Sequence, residues 1–343
     1  MNENKNYEIK NGTSIEDYKV LIYNLYKSYP DVAKAKIFEF DRAFSVSNPF
    51  FKYGSVQNYF LFDREKVVGH IAAIFDNRFG EVGSVGFFEC EDKQEYADIL
   101  FKNAIEFLKI NDKKQCRGPI NISVWQNSRV SYAENNPPFY LEPFTLEYYK
   151  DLFVRNNFLV SHQNITTTES IDKTQIQGYE GFYEQSIKDG YSYELLDKNN
   201  IEKTIKDIYF LTCKIFEGSY SFYNISEEEF FFFAKQYAGV QNSHCIFVIR
   251  NQKGEAIGFF LAMPDLYNLE LKRIVMKTMG ILPEYRGLGL AKAMLYFVYK
   301  SAKEDGFKEL IFSTISIDNK KIKTLTGQNL APYRKYEVYE KNI

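Results

Sequence analysis

The clearest chemical pattern in this sequence is a pair of glycines between a predicted strand and a predicted helix. Residues 279–291 read MGILPEYRGLGLA, which places Gly287 and Gly289 in the turn between the two elements. The first backbone N–H groups of a helix have no acceptor within that helix, and the helix dipole adds partial positive charge there. Glycine also lets a phosphate group approach the backbone closely. The segment therefore predicts a phosphate-binding site.

Three phosphate-binding motifs compete for this segment. A P-loop requires G-x-x-x-x-G-K-[ST], which the segment lacks. A dinucleotide fingerprint requires G-x-G-x-x-G, but Lys292 stands where the third glycine should be, and too little chain follows for a Rossmann domain. The third motif is R-x-x-G-x-A, which residues 286–291 match. With I-L-P-E directly before it, this turn resembles the GCN5-related N-acetyltransferase (GNAT) family.

The resemblance implies that the turn binds the pyrophosphate of acetyl-CoA and that the end of the preceding strand meets the pantetheine arm and the thioester. An asparagine after the next strand matches one that faces the cofactor in the family. The implied reaction moves an acetyl group to the amine of a small-molecule or peptide acceptor. The implied cofactor-binding residues are Met279, Gly280, Ile281, Arg286, Gly287, Leu288, Gly289, Leu290, Ala291 and Asn319.

The groups that would move protons are harder to identify. Acetyl transfer requires a neutral amine, so a group that accepts its proton is expected nearby. The family's tyrosine and glutamate for proton transfer fall on Thr326 and Thr314. The remaining candidates are Glu270, at the predicted start of the strand, and Tyr333 or Tyr336 on the terminal segment. The missing groups keep a second hypothesis open, a non-catalytic acyl-CoA-binding or regulatory module.

The elements around the turn occur in an order that the first half of the chain repeats. This duplication predicts an α/β fold of two similar halves, each a mixed, mostly antiparallel central sheet flanked by helices. Together with the resemblance, it implies two tandem acyl-CoA N-acyltransferase-like domains. We expect the domains at residues 1–175 and 176–343. In the second half the predicted elements near the turn are a strand at 269–282, a helix at 288–304 and a strand at 309–316; in the first half they are strands at 57–62, 66–75 and 82–89, a helix at 93–109 and a parallel strand near 116–123.

The first half looks like a degenerate copy. At the corresponding turn, residues 88–95 read FECEDKQE, with no glycine and four carboxylates. Negative charge at that turn would repel the phosphates of CoA. We therefore expect the first domain to bind no cofactor.

Composition limits the partners. Lys+Arg 43 against Asp+Glu 45 gives a net charge of −2, so no positive field favours nucleic acid or an anionic membrane. No segment predicts a membrane helix or a signal peptide, and the cysteines and histidines show no metal-binding spacing. We expect a cytoplasmic monomer or homodimer that uses acetyl-CoA and a small amine, without metal, membrane or nucleic acid. A third hypothesis, an aminoacyl-tRNA-dependent transferase, rests on the basic residues Lys320, Lys321, Lys323, Arg334 and Lys335, and the acidic balance argues against it.

Overall fold

A computed structural model describes residues 7–132, 136–196, 199–234, 246–326 and 331–343. The chain divides into two compact units. The first unit comprises Met1–Pro138, Pro143–Gln163 and Tyr336–Ile343, and the second comprises Phe139–Glu142 and Asn164–Lys335.

The first unit contains a mixed sheet with the strand order β1-β2-β3-β4-β5-β13. Neighbouring strands are antiparallel except β4 and β5, which are parallel as predicted. Helix α3 joins these two strands and buries a stripe of apolar residues at helical spacing, from Tyr96 to Leu108. The elements are β1 (Tyr7–Asn11), α1 (Ile15–Leu25), α2 (Pro30–Ala43), β2 (Gly54–Asp63), β3 (Lys66–Asp76), β4 (Val82–Cys90), α3 (Gln94–Ile110), β5 (Gln115–Gly118), β6 (Val130–Tyr132) and α4 (Tyr149–Arg155).

The second unit repeats this arrangement with the strand order β7-β12-β11-β10-β9-β8. Its neighbouring strands are antiparallel except β11 and β12, which are parallel and are joined by helix α8. The elements are β7 (Leu159–Ser170), α5 (Glu180–Lys188), β8 (Ser192–Leu195), α6 (Ile201–Ile215), α7 (Glu227–Ala234), β9 (Ile246–Arg250), β10 (Ala256–Pro264), β11 (Arg273–Ile281), α8 (Leu290–Glu304), β12 (Glu309–Ser316), α9 (Lys320–Thr326) and β13 (Arg334–Asn342).

The boundary between the units differs from the expected joint at residue 175. Residues 164–170 of β7 pair with β12, which makes them part of the second sheet. At the other end of the chain, residues 339–342 of β13 pair with β5, so the C-terminal residues group with the first unit. Each unit therefore takes one strand of its sheet from a segment that crosses the boundary.

Helix α8 is anchored by its own apolar face. Ala293, Met294, Val298 and Ala302 are all fully buried in the core of the second unit. Along β11, Ile274 and Met276 join this core, whereas Val275 lies on the other face with Phe139, Ile311 and Tyr333. The turn before α8 is thus held between a buried strand and a buried helix.

The short segment Phe139–Glu142 belongs to the second unit because polar contacts tie it there. The N–H of Tyr140 donates to Asp265 Oδ1 at 2.8 Å, and Lys277 Nζ donates to the carbonyl of Leu141 at 2.7 Å. Glu142 is buried and lies 2.5 Å from the guanidinium of Arg334. Sequence periodicity carries no sign of these contacts, since they join distant parts of the chain.

Two other predicted elements differ from the structure. The strand expected to begin at residue 269 begins at Arg273, because Leu269–Leu271 forms a 3-10 turn that ends at Lys272 with a left-handed φ of 48°. Helix α5 was not among the predicted elements. The apolar spacing of residues 227–237 also predicts a helix; α7 is described as far as Ala234, and 235–237 lie outside the described residues. None of the helices in the described ranges is long and apolar enough to cross a membrane.

Candidate active site

The main feature of the second unit is a gap that opens between two parallel strands. Strands β11 and β12 pair from Arg273 and Glu309 as far as Met276 and Phe312. Both strands then continue, β11 to Ile281 and β12 to Ser316, with no further pairing between them. Beyond Met276, β11 pairs with β10 alone. The facing edges of the two strands are therefore available to an extended ligand that carries amide groups.

Irregular backbone in both strands coincides with this gap. In β11, Lys277 is skipped in the pairing with β10, so the strand carries a bulge there. In β12, the pairing with β7 is interrupted between Phe312 and Ile315, and Thr314 has a φ of 50°. This left-handed backbone is strained for a β-branched residue. Two side chains of β7 hold this backbone in place. Thr166 Oγ1 accepts from the N–H of Thr314 at 3.0 Å, and Asn164 Nδ2 donates to the carbonyl of Thr314 at 3.1 Å.

The turn after β11 presents free backbone donors. Gly287 and Gly289 both have positive φ, 86° and 79°, and Gly289 directly precedes the first helical residue of α8. Within the described ranges, the N–H groups of residues 287–291 have no hydrogen-bond acceptor. A Cβ on Gly287 would meet nothing within 4 Å, so the space above the turn is open. Open amides at the N-terminus of a 15-residue helix suit a phosphate group.

The family comparison identifies this arrangement. Residues 205–323 match the model of the family described as "Acetyltransferase (GNAT) family", and the matched segment contains β11, the turn, α8 and β12. The second unit carries a GNAT domain. The resemblance predicted from residues 286–291 is thereby confirmed.

Solved structures show that the likeness in fold extends over both units. A tandem GNAT protein from the clavulanic acid biosynthesis pathway has a TM-score of 0.62 at 11% identity, with 98% of each chain covered. A GCN5-related N-acetyltransferase from Sphaerobacter thermophilus has a TM-score of 0.55 at 8% identity, with 98% of this chain and 95% of that chain covered. The predicted tandem α/β fold is confirmed by these neighbours. At such identities they show the fold and nothing about substrates.

A third neighbour is much longer than this protein. It is the GCN5-related glucosamine N-acetyltransferase region of a fungal multi-domain GH3 β-N-acetylglucosaminidase, with a TM-score of 0.59 at 9% identity. The likeness covers 99% of this chain but 38% of that chain. No curated protein sequence matches the chain at the significance required.

Two predicted cofactor residues of the GNAT domain lie just beyond the ends of β11 and β12. Arg286 is exposed, and its Nε donates to the carbonyl of Ile281 at 3.2 Å, which ties the turn to the end of β11. Asn319 is exposed after β12, and its Oδ1 accepts from the N–H of Ile322 at 3.4 Å at the start of α9. Because β11 and β12 are parallel, both residues lie at the same end of the sheet.

Other predicted cofactor residues line the strand end and the turn. Met279 is half-buried, whereas Gly280 and Ile281 are buried. A Cβ on Gly280 would lie 2.8 Å from the side chain of Ile215, so the strand and α6 pack closely there. In the turn, Leu288 is exposed and Leu290 is buried in the core, with Ala291 packed against it.

Glu270 lies away from the gap. It was expected at the start of β11, but it lies in the exposed 3-10 turn that precedes this strand. The gap opens after Met276, and the strand from Arg273 to Met276 alone spans about 10 Å. The placement of Glu270 on the strand was therefore wrong, because Lys272 turns the chain before pairing begins.

Tyr333 lies near the paired part of the strands, but its hydroxyl points elsewhere. The ring packs with Val275 and Ile311, and the hydroxyl accepts from Arg273 Nη1 at 3.0 Å. Arg273 is the first residue of β11 and is itself paired with buried Asp265. Burial raises the pKa of Tyr333, against a smaller opposing effect of the Arg273 hydrogen bond. This phenol is held protonated at the end of β11 opposite the turn.

Tyr336 is fully buried and belongs to the first unit. The terminal segment was expected to lie wholly in the second domain; in the structure its residues from 336 onward group with the first unit, where β13 pairs with β5 from residue 339. Within the second unit, neither Glu270 nor the hydroxyl of Tyr333 thus lies at the gap.

The first unit has a corresponding gap that its own chain fills. Strands β4 and β5 pair for three residues. Beyond that point, Ile120 donates its N–H to the carbonyl of Val85 at 2.8 Å, and Asn121 Oδ1 accepts from the N–H of Phe87 at 2.7 Å. A Cβ on Gly86 would lie 2.3 Å from the carbonyl oxygen of Ile120. The backbone edge that is open in the GNAT domain is satisfied internally here.

The four carboxylates at the turn of the first unit are not equivalent. Glu89 is buried, and it accepts hydrogen bonds from Tyr26, Tyr149 and Lys36 at 2.7–2.9 Å. Glu91 pairs with Lys66 at 2.5 Å. Only part of the negative charge expected from the sequence therefore faces outward at this turn.

Sequence reasoning missed an element beside the turn. Helix α5 packs along α8, and Phe182 from α5 lies so close that a Cβ on Gly289 would be 2.6 Å from its ring. The sequence carries little sign of this helix, because a helix is recognised by a buried apolar stripe and Ser186 is the one buried residue among its nine. Among the described residues, no group of three or more His, Cys, Asp or Glu side chains is arranged to hold a metal ion.

The two turn glycines differ in a way that mutation can test. Gly287→Ala should lower the free energy of unfolding by about 1–2 kcal/mol, because its left-handed φ is strained for alanine although space is open. Gly289→Ala should cost a further amount of about 1–3 kcal/mol, because the new methyl group meets Phe182. Urea unfolding of both variants measures the difference. When Phe182 is also replaced by alanine, Gly289→Ala should lower the free energy of unfolding no more than Gly287→Ala does. Equal losses of unfolding free energy for the two variants with Phe182 present would contradict this geometry.

Proposed function

We propose that the GNAT domain transfers an acetyl group from acetyl-CoA to the amine of a small-molecule or peptide acceptor. The observation that carries this proposal is the set of unpartnered N–H groups at residues 287–291, which lies at the end of the open gap between β11 and β12. The family match supports acyl transfer from a CoA thioester. That the acyl group is acetyl and that the acceptor is an amine are part of the proposal.

Different features of the site fit the pyrophosphate and the pantetheine arm of CoA. The turn offers backbone donors and positive φ glycines to the pyrophosphate. The unpaired edge of β11 offers backbone groups to the amides of the pantetheine arm, much as an added strand would pair with a sheet edge. The thioester would then lie near the bulge at Lys277, where the strands separate.

The chemistry at that point needs little from side chains. The neutral amine attacks the thioester carbonyl, the C–S bond breaks, and the amine's proton balances the charge of the leaving thiolate through solvent or a base. A free backbone N–H at the end of β11 would stabilise the oxygen as negative charge develops on it. Because Thr314 occupies one position where the family places a proton-transfer group, this proposal assigns no side-chain acid or base.

We propose further that the first unit binds no cofactor, so that each chain carries one site. Its gap is filled by Ile120 and Asn121, and its turn lacks glycine. Both features oppose an extended ligand with phosphates.

A second candidate function is a non-catalytic acyl-CoA-binding module. Two observations favour it: Glu270 is exposed before β11, and the hydroxyl of Tyr333 is held by Arg273. This candidate shares the binding site and differs in turnover.

Cofactor binding is tested by calorimetric titration of acetyl-CoA into the wild type and into Gly289→Glu. We expect one site per chain, weakened at least about 100-fold in the variant, or about 2.8 kcal/mol, because the new side chain adds bulk and charge where phosphate binds. Gly306→Glu controls for the change at a left-handed glycine, since Gly306 also has positive φ (78°) but lies at the other end of α8; a Cβ there meets nothing within 4 Å, whereas one on Gly289 meets Phe182. Absence of binding to the wild type, or equal weakening by both variants, would refute the site.

Turnover separates the two candidate functions. In an acetylation assay with a panel of amines, Glu270→Gln and Tyr333→Phe should change kcat little, because neither side chain reaches the gap. Loss of a true general acid or base would lower kcat by about 100-fold or more. Such a loss in either variant would contradict this placement, and binding without turnover of any amine would favour the non-catalytic module.

A further inference from the structure

An exposed aromatic ring lies directly beside the turn of the GNAT domain. Phe182 on α5 is 41% exposed, although its ring edge is close to Gly289. The ring therefore combines a fixed position next to the open N–H groups with a large apolar surface that faces solvent. An exposed ring of this kind beside a phosphate site suits the flat base of a nucleotide.

A cation lies over the same ring. Lys292, in the first turn of α8, places its Nζ 4.4 Å from the ring centre of Phe182 and 5.1 Å from that of Tyr179. These distances are within the range of cation–π attraction. The ammonium group lies in the first turn of the helix that presents the free amides, where it adds positive charge for phosphate oxygens.

Helix α5 holds this ring in place without a ligand. Glu180 Oε1 accepts from the hydroxyl of Tyr296 on α8 at 2.7 Å. Tyr183 packs against Tyr296 and Phe297, with ring centres 5.8 and 5.9 Å apart. Because contacts on both sides of Phe182 fix the helix along α8, the ring needs no rearrangement before a base stacks on it.

We propose that Phe182 is the stacking platform for the adenine base of the cofactor. This inference rests on the proposed function, because it assumes that the turn binds the diphosphate of CoA. One ribose joins that diphosphate to the adenine, so the base must lie close to residues 287–291. Phe182 is exposed at that place, and the base would stack on the face of the ring opposite Lys292, whose ammonium group adds positive charge for the nucleotide's phosphates.

The test compares two ligands that share the pantetheine arm, CoA and 4′-phosphopantetheine, which lacks the adenine nucleotide. Calorimetry on the full chain gives both dissociation constants for the wild type and for Phe182→Leu, which keeps an apolar side chain but removes the aromatic face. The variant should weaken CoA about tenfold, the size of a lost base–aromatic stack, and leave phosphopantetheine unchanged. Phe182→Trp should keep the affinity for CoA.

Phe210→Leu is the matched control. Phe210 is 53% exposed on α6 and has Lys214 Nζ 4.3 Å from its ring centre, so it has the same kind of surroundings away from the turn. This variant should change neither constant. Equal weakening of both ligands by Phe182→Leu would mean that the ring only supports the turn, and no change in either would mean that it makes no contact; both results overturn the proposal. If the wild type binds neither ligand, the proposed function itself fails.

Discussion

The organisation of the second unit depends on the separation of β11 and β12 after Met276 and Phe312. Two parallel strands that continued to pair would satisfy each other's backbone groups and leave nothing for a ligand. Bulges at Lys277 and Thr314 coincide with the end of pairing, and Thr166 and Asn164 hold the strained Thr314. The turn with its open amides follows directly from the strand that the gap exposes. The strained backbone, the gap and the turn with open amides are thus parts of one structure.

The first unit shows what the same topology becomes when the gap is closed from within. It has the same parallel pair joined by a helix, but Ile120 and Asn121 satisfy the backbone of β4. The carboxylate of Glu89 is buried among two tyrosines and a lysine at the end of that strand. The strand orders of the two halves therefore correspond, while the segment at residues 120–121 closes the edge in the first unit alone.

The sequence was sufficient to predict those elements whose structure a local pattern determines. Strand β12 has the predicted limits, Glu309–Ser316, and the glycines of the turn adopt the positive φ that their type favours. The alternating residues Leu269 to Leu271 looked like part of a strand, but the left-handed Lys272 ends that pattern. The partners of β7 and β13, the side-chain cap from Asn121 and the position of Phe182 depend on contacts between distant segments. No periodicity or motif reports such contacts, so the unit boundary and the surroundings of the site needed the structure.

The central claim is that the cofactor lies along the open edge of β11 and on the turn, in the second unit alone. Amide hydrogen exchange with and without acetyl-CoA tests it most directly, because it reports on the backbone groups that are open. We expect protection within residues 277–291 and no change within residues 85–95, the corresponding strand end and turn of the first unit. Protection at 85–95, or acetyl-CoA binding that leaves 277–291 unprotected, would contradict the claim.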